Sequence, residues 1–157
     1  MLDTGFWLLA PAFIMPYSDI EDQKNETPLE TIRQLVCDEG ESADSLSYLV
    51  VIARFNQIRD EADGEMDGFF SIGGYPVPLA TVGTLVRGWS KAITGYKLFK
   101  RRDIMPEARQ KEFDRIQRLL EKISQGSFKL PTTEQANTAS ETGLGMAVIT
   151  NTRFSDT

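Results

Sequence analysis

Five carboxylates fall within eight positions, Asp60, Glu61, Asp63, Glu65 and Asp67, in the run Asp-Glu-Ala-Asp-Gly-Glu-Met-Asp. On a helix, Asp60, Asp63 and Asp67 share one face. Carboxylates so grouped supply the oxygen ligands that Mg²⁺ or Mn²⁺ takes, and such ions can activate water against a phosphate ester. A site of that kind needs a second acidic pair facing the first, and the following helical stretch offers none, because no Asp or Glu lies between Ser71 and Lys100. The run therefore reads as a solvated acidic face or a contact between copies. Asp60, Glu61 and Asp63 are candidate interaction residues, and no metal or cofactor is expected.

Other chemistry is narrowed by composition. The chain has no histidine, which removes Ser-His and Cys-His catalysis and the commonest zinc ligand. Cys37 is the single cysteine, so no intrachain disulfide can form, as suits a reducing cytosol. Gly73-Gly74 has no following Gly-Lys-Ser/Thr and no preceding strand, so it marks a turn rather than a phosphate loop. Trp89, Tyr96 and Phe99 could stack on bases, but their helical spacing with Leu85 and Ile93 predicts core packing. Lys97, Lys100, Arg101 and Arg102 form a basic cluster whose sharp reading is DNA contact and whose plain reading is charge matched to a helix C-terminus. Neither a catalytic residue nor an enzymatic activity is expected.

Charge is divided along the chain. Residues 1–70 carry 15 acidic and 4 basic groups, and residues 71–125 carry 11 basic and 5 acidic, within a chain of net charge −6. Such a molecule is a poor general binder of the phosphate backbone. It can instead set its acidic part against the basic part of an identical neighbour, a head-to-tail contact that closes into a ring when the rotation allows.

The elements that must position these residues follow from periodicity and punctuation. At 157 residues, 41% of them hydrophobic and 25% charged, the chain fits one globular core with extensions. Thr27-Pro28-Leu29-Glu30 predicts a capping box and a short helix to about Asp38, ended by Gly40. Between Ser45 and Phe70, Val51, Phe55, Ile58, Ala62, Met66 and Phe69 recur with the period of one helical face. Pro78 is placed to start a third helix with Val82, Leu85, Trp89, Ala92 or Ile93, Tyr96 and Phe99 inward. A fourth, after Met105-Pro106, carries Phe113, Ile116, Leu119, Leu120 and Ile123 and stops at a left-handed Gly126. The expectation is an all-α, small four-helix bundle over residues 27–130, with Leu119 and Ile123 packed on Trp89 and Ile93.

Both ends differ from this middle. Residues 1–26 form an N-terminal extension whose apolar run Gly5–Pro16 is too short to span a bilayer and is broken by Pro11 and Pro16. It also lacks the basic start of a secretion signal. Phe6, Trp7 and Phe13 are its candidate anchors. Residues 131–157 are rich in Thr, Ser, Asn and Gly, with Arg153 and Phe154 as a basic and an aromatic anchor. Such arms gain a fixed role by docking on partners.

The middle of the chain resembles the small Mu-type phage neck proteins. The resemblance runs from about Phe55 to Leu130 and rests on motifs in order: Ala62-Asp63-Gly-Glu-Met66-Asp67-Gly68-Phe69, Tyr75-Pro-Val-Pro78-Leu79, Ala92-Ile-Thr-Gly-Tyr96-Lys-Leu98, and Leu120-Glu-Lys-Ile123-Ser-Gln-Gly126. Arg153-Phe154-Ser155 is similar to the ending of many members. Departures are the apolar N-terminal arm and the absence of Arg-Phe-Gly in the first helix. The resemblance implies a head-to-tail connector fold, assembled as a ring of commonly about twelve copies. That ring would bind the portal protein above and the next neck or tail-terminator protein below, in the virion, with DNA passing through without specific binding. The acidic face of Asp60, Glu61 and Asp63 would turn to the channel or the next subunit. The competing functions are a metal-dependent all-α nucleotide hydrolase and a DNA-binding packaging accessory.

Overall fold

A computed structural model of the chain describes residues 15–131. Within them lie five α-helices and no strand: α1 (Ile20–Lys24), α2 (Leu29–Val36), α3 (Tyr48–Ile72), α4 (Thr84–Arg101) and α5 (Glu107–Ser124), with a 3₁₀ turn at Ala43–Ser45 before α3. The protein is all-α. Each of α3, α4 and α5 packs against the other two, while α1 and α2 lie across α3 and α4.

Two apolar clusters hold this arrangement. The first joins Ala62, Met66 and Phe70 of α3, Val86, Trp89, Ala92 and Ile93 of α4, and Ile116, Leu120 and Ile123 of α5, with Tyr17 and Leu130. Leu119 packs at its margin, so the expected meeting of Leu119 and Ile123 with Trp89 and Ile93 is present. The second joins α2 (Ile32, Leu35, Val36) to Val51, Phe55 and Ile58 of α3 and Leu98 of α4, with Ile20, Cys37 and Leu46.

Helix ends follow local chemistry where a glycine is required. Gly126, at φ +72°, ends α5, with its N–H donating to Ile123 and that of Ser127 to Lys122, a Schellman closure. The same closure ends α3, where Gly74 sits at φ +84° and Tyr75 N–H donates to the Phe70 carbonyl at 2.9 Å. Gly73 beside it serves close approach, since a Cβ there would lie 2.7 Å from the Ile123 carbonyl oxygen.

Elsewhere tertiary contacts displace the expected boundaries. The helix expected to start at Pro78 begins instead at Thr84, as α4, with Gly83 at its N-cap. Residues 76–83 stay in a loop whose Leu79 N–H donates to the Tyr17 hydroxyl at 2.9 Å, and Leu79 and Val82 pack on the core from that loop. In α4, Val86 is buried and Leu85 exposed, and in α3 Phe70, rather than Phe69, is fully buried. The capping box expected at Thr27 is absent: Pro28 precedes α2 without a side-chain cap. Thr27 is instead buried and its hydroxyl accepts from Arg109 at 2.9 Å. A capping box does form one helix earlier, between Asp19 and Asp22 of α1. Packing thus starts ahead of residue 27, with Tyr17, Ser18, Ile20 and Gln23 all buried.

Candidate functional site

The acidic run occupies the middle of α3, and the structure divides it. Asp60 and Glu61 are exposed, Asp60 paired with Arg59 at 2.6 Å. Glu65 is held by Lys97 at 3.0 Å and accepts from Gln117 at 2.5 Å. Asp63 and Asp67 turn toward α4 and the segment ahead of α1. Asp63 Oδ2 accepts the Tyr17 backbone N–H at 2.9 Å, and Oδ1 accepts the Ser90 hydroxyl at 2.6 Å. Ser90 spends its proton on Asp63, so Ser18 donates to Ser90, at 2.7 Å. The Tyr17 hydroxyl donates to Asp67 while accepting from Leu79 N–H.

This geometry separates Asp63 from the solvated acidic face expected of the run. It is half-buried beneath Tyr17, unlike the exposed Asp60 and Glu61, because a carboxylate on the flank of α3 finds two donors there. Burial pushes its pKa up, opposed by the Ser90 and Tyr17 hydrogen bonds and by the charge of Arg59. Burial, with the Asp67 hydrogen bond, also pushes the Tyr17 hydroxyl well above the ordinary phenol value. Among the described residues, no three carboxylate or thiol groups converge as a metal site would require. The carboxylates that could have formed a metal pair accept protein hydrogen bonds instead.

The basic cluster is likewise occupied within the chain. Lys97 pairs with Glu65, Arg101 with Asp38, and Arg102 donates to the Cys37 carbonyl at 3.2 Å, while Lys100 lies over the Tyr96 ring. Lys91 pairs with Glu26 at 2.7 Å. The acidic and basic parts of the sequence therefore meet inside one molecule at several points; exposed pairs of this kind contribute about 0–1 kcal/mol each. An open groove of about 480 Å³ lies beside Arg101 and Arg102, lined also by Asp38, Glu39, Glu41 and Ile104. Its charges are of both signs and Arg54 spans Asp38 and Glu41 across one side, so it offers no concentrated anion site.

The aromatic set is core, as its spacing predicted. Trp89 is buried, Tyr96 stacks on Phe113 at 3.8 Å between ring centres, and Phe99 lies under the Arg109 guanidinium at 4.6 Å. Phe6, Trp7, Phe13, Arg153 and Phe154 lie outside the described residues. Sequence reasoning missed Tyr17, Ser18 and Ser90. The available signals were the four-residue spacing of Asp63 and Asp67 and a serine set among the apolar residues of α4.

What these features define is a small all-α protein whose central polar residues fasten an N-terminal segment to the helical body. The profile of the family described as Bacteriophage Mu, Gp36 matches residues 17–149, and the chain belongs to that family. No curated protein and no solved structure matches the chain. The match starts at Tyr17, the first residue of the hydrogen-bond network, and continues past the end of α5 into the C-terminal stretch.

Proposed function

We propose that the protein is a non-catalytic, structural head-to-tail adaptor of a tailed phage, forming a ring under the portal through which DNA passes. The observation that carries this reading is the match to a bacteriophage Mu family over residues 17–149, which covers the whole helical body. The motifs shared with Mu-type neck proteins support the finer role. The disposition of charge is compatible with it. Glu61 on α3 and Arg115, Arg118 and Lys122 on α5 have no ion-pair partner among the described residues, leaving both signs available between copies. No helix among the described residues is long and apolar enough to cross a membrane.

In this role the partners are further copies of the chain, the portal protein, and the next neck or tail-terminator protein. Phe6, Trp7 and Phe13 are the apolar anchors of one arm, and Arg153 with Phe154 anchor the other. Asp60 and Glu61 are the acidic residues available to a channel wall or a neighbouring subunit, and a wall of that sign repels phosphates so that the duplex slides. Two hydrogen-bonded aspartates, Asp63 and Asp67, weigh against the nucleotide-hydrolase alternative.

Interrupting the gene in the phage that encodes it tests the proposal. Electron microscopy of the lysate is expected to show DNA-filled heads and finished tails that remain separate, with joining restored by the protein supplied in trans. A normal yield of infectious particles without it, or its absence from mature particles, would overturn the adaptor reading.

A further inference from the structure

The segment ahead of α2 is attached to the body in an unusual way. Of residues 15–24, only Tyr17 and Ile20 give the core apolar side chains, Tyr17 entering the first cluster and Ile20 the second. The remaining attachment is polar: Tyr17 N–H to Asp63, Tyr17 hydroxyl to Asp67 and from Leu79, and Ser18 to Ser90. Helix α1 has five residues, too few to persist apart from the body. Gln23 is fully buried, yet its Oε1 has no hydrogen-bond partner. A buried acceptor left unsatisfied is a cost of the closed arrangement that opening relieves.

The attachment becomes apolar just downstream, where Ile32, Leu35 and Val36 of α2 enter the second cluster. Glu26 is pinned to α4 by Lys91 at 2.7 Å, and Thr27 to α5 by Arg109 at 2.9 Å. Beneath the segment, α3, α4 and α5 share a core of Met66, Phe70, Trp89, Ile93, Ile116, Leu120 and Ile123, to which the segment adds Tyr17 alone. A short, polar-fastened element on a larger apolar body is the kind of unit that opens locally before the whole molecule unfolds.

We propose that Met15–Lys24 is a strap that opens as a unit at the Lys24–Glu26 turn while the three long helices stay folded, with Asp63 and Asp67 as its latch. Opening uncovers both aspartates, Ser90 and the edge of Phe70, whose ring lies 6.3 Å from that of Tyr17 in the closed form. Asp63 and Asp67 are positioning residues in this account. They hold the strap through Tyr17, at the point where the N-terminal arm enters the body.

The sequence supplies its own readout, because Lys24 is the first lysine or arginine in the chain. Trypsin is added to the full-length protein under native conditions, and cleavage after Lys24 is followed by mass alongside cleavage after Arg59 and Arg118 within the body. Tyr17→Phe keeps the ring but removes both hydroxyl hydrogen bonds. Cleavage that samples the open form tracks its population, so the Lys24 rate is expected to rise by about tenfold or more with Arg59 and Arg118 unchanged. Amide exchange over α3–α5 checks that the body remains folded. Ser18→Ala, which removes one hydrogen bond and little volume, should give a smaller rise at Lys24 and serves if Tyr17→Phe does not fold. Equal acceleration at Lys24 and Arg59 would mean that the segment belongs to the cooperative core. That result, or no acceleration at Lys24 in either variant, overturns the proposal.

Discussion

Replacing both Gly64 and Gly68 of α3 by alanine should stabilise the protein. Both residues are exposed in the interior of a 25-residue helix, and a Cβ added to either would meet nothing within 4 Å. No close approach within the described residues therefore requires glycine, and the helical backbone there does not need a positive φ. A glycine inside a helix costs about 0.8–1.0 kcal/mol relative to alanine, through the backbone freedom it loses on folding. Each alanine removes the backbone cost at its own position, and the pair together should give roughly 2 kcal/mol. For a body of this size such a gain corresponds to a rise in Tm of roughly 6–10 °C. Urea unfolding followed by far-UV circular dichroism measures it, as a higher midpoint at unchanged slope. A double variant no more stable than the native protein, with the slope unchanged, would refute the argument that α3 carries a relievable local cost at these positions.

Gly73 provides the opposite sign: Gly73→Ala would drive a Cβ to 2.7 Å from the Ile123 carbonyl, separating the ends of α3 and α5 and costing about 1–3 kcal/mol in the same unfolding measurement. Asp63 gives a pH signature. Its carboxyl is raised in the folded state, so its contribution favours folding below the ordinary Asp range and is lost as pH rises through the raised value. Asp63→Asn should accordingly gain stability relative to the native protein as pH rises from below the ordinary Asp value; a difference that is flat or falls with rising pH would contradict the burial argument. Removing residues 132–157 should leave the helical signal and the unfolding midpoint of the body intact while abolishing the joining of heads to tails, and normal particle yield from that truncation would refute the tail-anchor assignment.

The sequence by itself determined those features that depend on neighbours a few residues away. The apolar recurrence from Val51 to Met66 specifies an inward face whatever it packs against, and Gly74 and Gly126 terminate helices because few other residues adopt the positive φ found there. The family motifs were legible for the same reason, being continuous in the chain. Tertiary structure decided what local pattern cannot encode. Asp60 and Asp63 are three residues apart, yet one is exposed and the other lies under a tyrosine 46 residues away in sequence. Thr27 had the sequence context of a cap, but a guanidinium from α5 took its hydroxyl, and the residues after Pro78 remained a loop that meets Tyr17. The charge division predicted contact between neighbouring copies, and folding brought several acidic and basic residues together inside one chain. In each case the partner is distant in sequence, and a hydrogen bond or ion pair is fixed by where the helices bring its two ends, which periodicity alone does not specify.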